Sequence, residues 1–237
     1  MPQSLGHSQW NANRLLASLP AEDYERMLHA LKPVTFTLGE IIYEPQGLME
    51  YVYFPTTAHV SLIYTMENGT TAEVGLVGNE GIVGVALFMG GDTTPNCAVV
   101  QGGGDALQMS AKAMQEEFKR GGAFQLSLLR YTQWLITQIS QTAVCNRLHS
   151  TEQRLCRWVL MTHDRSGSDE LQMTHEFISH MLGIQREGVS LSAHRLQEGG
   201  AISYKRGIIK ILDRQKLEDC ACECYQVVRS EYLRLGT

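Results

Sequence analysis

The 237-residue chain has no Lys or Arg between Lys32 and Lys112. A ligand carrying a phosphate would find no cationic side chain in that stretch to neutralise it. Residues 1–96 contain no cysteine, so no thiolate cluster can form there. No run of about 18 apolar residues occurs, and a membrane-spanning helix is not expected. Met1–Asn13 is polar, with no apolar core of the kind a secretory leader carries. A cytoplasmic location with reduced thiols is the expectation. The glycine-rich pieces Gly78–Gly84 and Gly102–Gly104 lack a following Gly-Lys-Ser/Thr, which excludes a phosphate-binding loop of that type. No internal repeat or low-complexity tract is found.

The length suits two modest domains, at roughly 100–200 residues each. Net charge is −5, unfavourable for a nucleic-acid binder, but it is uneven. Residues 1–149 carry 8 Lys/Arg against 13 Asp/Glu, 150–214 carry 9 against 8, and 215–237 carry 3 against 4. Only the central segment is not acidic, and any nucleic-acid surface belongs there.

Leu19, Tyr24, Met27, Leu28 and Leu31 recur at roughly helical spacing, which predicts a short helix over Pro20–Leu31. From Val34 to about Met109 the pattern changes to strand-like runs broken by turns: Glu40–Tyr43, Tyr51–Phe54, His59–Tyr64, Thr71–Leu76, Asn96–Val100 and Ala106–Met109. Many short strands at this spacing predict an antiparallel jelly roll, sandwich or barrel. Asn68-Gly69 reads as a two-residue hairpin turn, since both residues tolerate positive φ. Ser110 suits the N-cap of a helix through Lys119, and Gly121-Gly122 ends it. A long helix is predicted over Phe124–His149. Leu128, Tyr131, Leu135, Gln138, Thr142 and Cys145 fall at alternating steps of four and three, the stripe expected of a two-fold dimer seam. The plainer reading is a helix packed on its own domain. Ser150–His163 is another helix, with Leu155, Trp158 and Val159 on its apolar face.

The informative segment is Thr174–Glu198. Thr174 caps a short helix whose buried face is Phe177, Ile178, Met181 and Leu182. Gly183 permits a sharp turn, and Ile184 plugs the gap. A second helix follows, with Val189, Ala193 and Leu196 facing inward. Gln185, Arg186, Glu187 and Ser190 are left outward at its start, the end that enters a major groove. Arg can make bidentate bonds to guanine, and Glu can accept from cytosine. After Gly199-Gly200, two strand-like runs flank Lys205-Arg206-Gly207, a hairpin with a basic tip. Thr174, His194, Lys205 and Arg206 are the candidate phosphate contacts. Double-stranded DNA is the expected partner.

At about residues 14–212 the chain resembles the cAMP receptor protein/FNR family of transcription regulators. The resemblance rests on Leu38-Gly39-Glu40, Tyr51–Phe54, Gly78-Asn79-Glu80-Gly81-Ile82-Val83-Gly84, and above all Gly183…Gln185-Arg186-Glu187…Val189 followed by Leu196…Gly199…Ile202. It implies an α+β chain: an N-terminal jelly-roll, cyclic-nucleotide-binding-like β domain (1–120), a dimerisation helix (121–149), a C-terminal winged helix-turn-helix (150–214) and a helical tail (215–237). It also implies a homodimer on palindromic DNA, with RNA polymerase as a further partner, no membrane partner and no catalysis. The effector pocket it implies, Gly78, Glu80, Pro95, Asn96, Ile139 and Ser140, is degenerate. Glu80 could stand for the family's ribose-binding glutamate, but Pro95-Asn96 replaces its phosphate-binding Arg-Ser/Thr pair, and Ile139-Ser140 its adenine-binding Thr-Ser. Control by cAMP is therefore not expected. The iron–sulfur cluster of the family's oxygen sensors fails for want of N-terminal cysteines. No cofactor is expected beyond an unknown small-molecule effector, although His29 and His59 could ligate a haem iron.

Three other constellations compete. His175 and His180 superficially resemble a zinc-protease pair, but five residues apart they diverge by about 140° on a helix. A metal-dependent cupin-like enzyme needs several histidines in its barrel, and only His59 lies there. Cys220, Cys222 and Cys224 invite a metal or redox reading. In a continuous helix Leu217, Cys220, Cys224, Val227 and Val228 form an apolar stripe, and this structural reading is preferred; soft-metal binding would require an extended tail. No metal site is assigned.

Overall fold

The computed structural model describes residues 12–236. All but the last two residues of the polar segment Met1–Asn13 lie outside them. The chain forms two compact units. The first takes the chain up to Leu62, Leu76–Ile136, and from Tyr232 onward; the second takes Ile63–Gly75 and Thr137–Glu231.

In the first unit, α1 (Arg14–Ala17) is capped by Asn13, whose side-chain oxygen accepts from Leu16 N at 3.1 Å. The Asn13 amide donates to the carbonyls of Pro55 and Gly81, so this buried polar group is satisfied. The helix expected over Pro20–Leu31 is present as α2 (Ala21–Met27). Along the chain seven strands follow: β1 (Lys32–Phe36), β2 (Ile41–Tyr43), β3 (Tyr51–Pro55), β4 (His59–Thr65), β5 (Thr71–Val77), β6 (Cys97–Gly102) and β7 (Gly104–Ser110), with α3 (Ala86–Met89) between β5 and β6; Ile63–Gly75, at the end of β4 and the start of β5, falls in the second unit. They form two sheets, in the orders β1-β7-β3 and β2-β6-β4-β5. Val52, Phe54, Val60, Leu76, Ala98, Val100, Leu107 and Met109 are buried.

Strand β1 was not foreseen. It sits at a sheet edge, is mostly exposed and begins Lys-Pro, and edges tolerate proline where central strands do not. The turn at Asn68-Gly69 also differs from expectation. Met66 N bonds Thr70 O at 2.8 Å, leaving a three-residue loop in which Gly69 alone has positive φ, at 81°. Asn68 instead uses its side chain to accept from Thr70 N at 3.0 Å.

Ser110 caps α4 (Ala111–Arg120), and α5 (Gly122–Leu148) is the long helix; the boundary between units falls inside it, after Ile136. The expected dimer stripe is not available. Leu128, Tyr131, Leu135, Gln138 and Cys145 are buried within the chain, and Thr142 is half-buried, accepting from Arg157 Nη2. In the first unit Tyr131 lies over Gly81 so closely that a Cβ there would sit 2.0 Å from its ring. The opposite face carries Leu126, Leu129, Gln133, Ile136, Ser140 and Ala143, all exposed, again at alternating steps of three and four. The helix is apolar all round, so its sequence offers two stripes and does not say which one the chain itself covers.

In the second unit, Ser150 and Gln153 form a reciprocal cap for α6 (Thr151–Ser166). Leu155, Trp158, Val159 and Leu160 are buried, and each such side chain stabilises by about 1.5–3 kcal/mol. Trp158 Nε1 donates to Glu73 at 3.1 Å, and Thr71 Oγ1 to His180 O at 3.2 Å, so the tip of the β4–β5 hairpin belongs to this unit's packing. Then come β8 (Glu170–Gln172), α7 (His175–Leu182), α8 (Arg186–Glu198), β9 (Ile202–Lys205) and β10 (Ile208–Ile211), with sheet order β8-β10-β9.

The tail is not one helix. α9 (Arg214–Cys220) stops, Ala221 is extended at ψ 153°, and α10 (Cys224–Leu235) starts anew. The single stripe expected from Leu217 to Val228 is thus divided. Arg214 anchors the tail through Asp164 at 2.7 Å, Tyr225 at 2.6 Å and Glu218 at 2.9 Å. Among the described residues no helix is long and apolar enough to cross a membrane.

Candidate nucleic-acid interface

Thr174 Oγ1 accepts from Phe177 N at 3.1 Å and so starts α7. Gly183 ends it in the left-handed region, at φ 59°, and its N–H returns to Ser179 O. Arg154 of α6 donates to the carbonyl of Leu182, satisfying the helix end. Two residues on, Gln185 occupies the N-cap of α8 without a side-chain hydrogen bond. Val189, Ser192, Ala193 and Leu196 face inward, together with Ile178, Met181 and Leu182 of α7.

Gln185, Arg186 and Glu187 stand exposed at the start of α8, and the Arg186 guanidinium makes no hydrogen bond or ion pair among the described residues. Leu191, 54 % exposed, lies one turn beyond Glu187 on the same face. It is an apolar contact that the polar-residue pattern did not single out. His194, also exposed, sits 3.3 Å from Glu198. Ser190 is placed differently. It is half-buried, and its hydroxyl is bonded to His175 Nδ1 at 2.9 Å.

Nothing in the residue pattern points to the place of His175. Its ring stacks on Tyr204 of β9, with centroids 4.0 Å apart and planes 17° apart, while it bonds Ser190 of α8. One side chain thus joins the start of α7, the second helix and the hairpin. Burial, and then the neighbouring Arg186 charge, hold its pKa below the usual histidine value, so the ring is neutral at physiological pH.

The hairpin itself turns at Arg206-Gly207, both with positive φ (52° and 78°), between paired Lys205 and Ile208. This is the two-residue turn that matches strand twist. It leaves the Lys205 and Arg206 side chains exposed. Met173 N donates to Gly207 O at 2.7 Å, which fixes the basic tip beside Thr174. Gln197 holds the other end, accepting from Tyr204 N at 2.8 Å. A short helix, a sharp turn, a second helix with a free arginine at its N-terminal end and a basic wing are the parts of a winged helix-turn-helix.

Residues 153–220 match the Crp-like helix-turn-helix domain, and residues 33–120 match the cyclic nucleotide-binding domain. The chain belongs to the cAMP receptor protein/FNR family of transcription regulators. It is a DNA-binding regulator, not an enzyme. No curated protein matches it by sequence. Solved structures do. FixK2 from Bradyrhizobium japonicum is 16% identical at TM-score 0.69, covering 81% of this chain and 98% of that one. The c-di-GMP responsive regulator CLP from Xanthomonas campestris is 15% identical at TM-score 0.64, covering 81% and 99%. A CooA variant from Carboxydothermus hydrogenoformans is 16% identical at TM-score 0.61, covering 87% and 93%. At these identities the likeness establishes the fold.

The residues expected to form an effector pocket in this regulator each have a place in the fold. In the first unit, Glu80 is buried and accepts from Gly78 N at 3.2 Å. Pro95 is exposed, and Asn96 accepts from the Tyr43 hydroxyl at 3.1 Å. The loop after Glu80 is covered at Gly81 by Tyr131. Ile139 and Ser140 belong to the second unit.

Proposed function

We propose that the chain is a homodimeric, sequence-specific regulator that binds palindromic double-stranded DNA in the cytoplasm without cyclic-nucleotide control. The observation that carries this reading is the unpaired Arg186 at the free end of α8, beside the fixed basic hairpin. Arg186 reads guanine and Glu187 a cytosine amine, with Gln185 alongside. Leu191 suits a thymine methyl group. Ser190 positions the helix through His175 rather than reading a base. Thr174, His194, Lys205 and Arg206 hold phosphates.

Dimerisation uses the exposed stripe of α5, in which Leu126, Leu129 and Ile136 are 48 %, 50 % and 56 % exposed. Apolar side chains repeating in this way along a helix bury themselves against a second copy. A two-fold dimer then places its reading helices about one helical turn of DNA apart, on half-sites related by a palindrome. Bound beside a promoter, such a dimer has RNA polymerase as its protein partner.

No Lys or Arg lies between Lys32 and Lys112, so a buried cyclic phosphate would stay uncompensated. Any effector of the β domain is accordingly neutral or cationic. Titration of the protein with cAMP and cGMP by calorimetry tests this, and heats at the dilution background are expected. Micromolar binding of either would overturn it. DNA titrations at several salt concentrations test the interface: Lys205→Ala should weaken all duplexes alike and lower the salt slope by about one. Unchanged slope would remove Lys205 from the phosphate contacts.

A further inference from the structure

The end of the long helix and the divided tail bring four metal-binding groups together within the second unit. Cys145 and His149 are four residues apart on α5 and its C-terminal end, hence on one face. Cys222 lies in the break after Ala221, and Cys224 opens α10. The extended backbone at Ala221 removes Cys222 from the helical path that would have pointed it away from Cys224. All three thiols are buried, at 1 %, 4 % and 1 % exposure for Cys145, Cys222 and Cys224. Cys145 Sγ is 3.5 Å from Cys222 Sγ, and Cys224 Sγ is 3.6 Å from His149 Nδ1. The four ligand atoms all lie within 4.8 Å of one another. A tetrahedral ion with bonds of about 2.0–2.3 Å sets its ligands roughly 3.5–3.8 Å apart, so the cluster needs little contraction to close on a single ion.

Two neighbours fit the same purpose. The other ring nitrogen of His149, Nε2, is 3.2 Å from the Glu223 carboxylate. A carboxylate on the far nitrogen is the usual outer partner of a metal-bound histidine, fixing its tautomer and aiming the free lone pair inward. Arg157 is also buried. Its Nη2 donates to Thr142, its Nε has no hydrogen-bond partner, and no carboxylate pairs with it among the described residues. Three thiolates and a neutral imidazole around a divalent ion leave one negative charge, which this guanidinium offsets.

We propose that Cys145, His149, Cys222 and Cys224 bind a single borderline-soft divalent ion, zinc by preference, that ties the tail to the end of the long helix. Three sulfurs and one nitrogen, with no open position, make a structural rather than a catalytic site. The site explains why the tail abandons its helix at Ala221 although Cys220 and Cys224 are spaced to share a helix face.

The test is metal analysis and X-ray absorption on the full chain, purified without chelator or metal-affinity steps. Stoichiometric zinc is expected, with about three sulfur neighbours near 2.3 Å and one nitrogen near 2.0–2.1 Å. Cys222→Ser and His149→Ala should each lose the ion, while Cys220→Ser and Cys97→Ser keep it. Should the ligand variants fail to fold, wild-type protein stripped of metal and titrated with cobalt(II) supplies the readout. The absorption bands of tetrahedral thiolate-bound cobalt are expected at one equivalent. A freshly purified protein without metal that gives no such bands overturns the proposal. So does a Cys145–Cys222 disulfide in that protein, or zinc that persists undiminished in Cys222→Ser.

Discussion

The β domain and the winged helix both keep the family's fold, but they differ in what they present. In the winged helix, the caps and the glycine turn leave Gln185, Arg186, Glu187, Lys205 and Arg206 at the surface. In the β domain the matching strands are in place, yet Glu80 bonds its own loop, Asn96 bonds Tyr43, and Tyr131 covers Gly81. A fold is held by its buried apolar pattern, which both regions retain. A binding function is held by a few polar side chains, and the two regions place theirs differently.

The largest expected effect tests the face proposed to join two copies. Ile136→Glu would bury an unpaired carboxylate in the seam, costing about 3–5 kcal/mol. Sedimentation should show monomers and greatly reduced affinity for palindromic DNA. A dimer that survives this change would place the seam elsewhere. Next is Arg186→Ala, expected to lose about 1–3 kcal/mol on the preferred duplex and to relax preference at one base pair. Equal losses on all sequences would make Arg186 a phosphate contact instead.

Gly183→Ala comes next. Its Cβ would meet Ala72 only at ordinary contact distance, 3.4 Å, so the cost is that of φ 59° for an L-residue. That is about 1–2 kcal/mol in urea unfolding, and no loss would mean the turn can relax. The smallest effect concerns His175. Its pKa is lowered in the folded chain by burial and then by Arg186. The unfolded chain therefore takes up the proton first, near pH 6.5, and stability falls as pH drops below that value towards the folded pKa. NMR titration should place His175 below the ordinary value and move it upward in Arg186→Ala. A titration at or above the ordinary value would remove burial and Arg186 as determinants.

The winged helix was legible because its signals are local: a threonine cap, a glycine at the turn, an inward triad of Val189, Ala193 and Leu196. The face of α5 that the chain itself covers was not, because α5 is apolar on both faces and only the fold decides which one Tyr131 and Leu135 occupy. The tail was misread for a related reason. Its spacing satisfies a helix, and nothing adjacent to Ala221 announces the break, which sets Cys222 and Cys224 beside Cys145 and His149, more than seventy residues earlier. Strand β1 lacked a period because an edge exposes most of its side chains. His175 was invisible as a linker because its partners, Ser190 and Tyr204, lie on other elements.

We propose that this chain reads DNA through α8 and needs no cyclic nucleotide to do so. Selection of bound duplexes from a random pool, with ligand-free protein and the Arg186→Ala variant in parallel, tests it most directly. A palindrome with half-sites about one helical turn apart is expected, with loss of one base preference in the variant. Enrichment of a palindrome only after cAMP is added, or identical preferences for the two proteins, would contradict it.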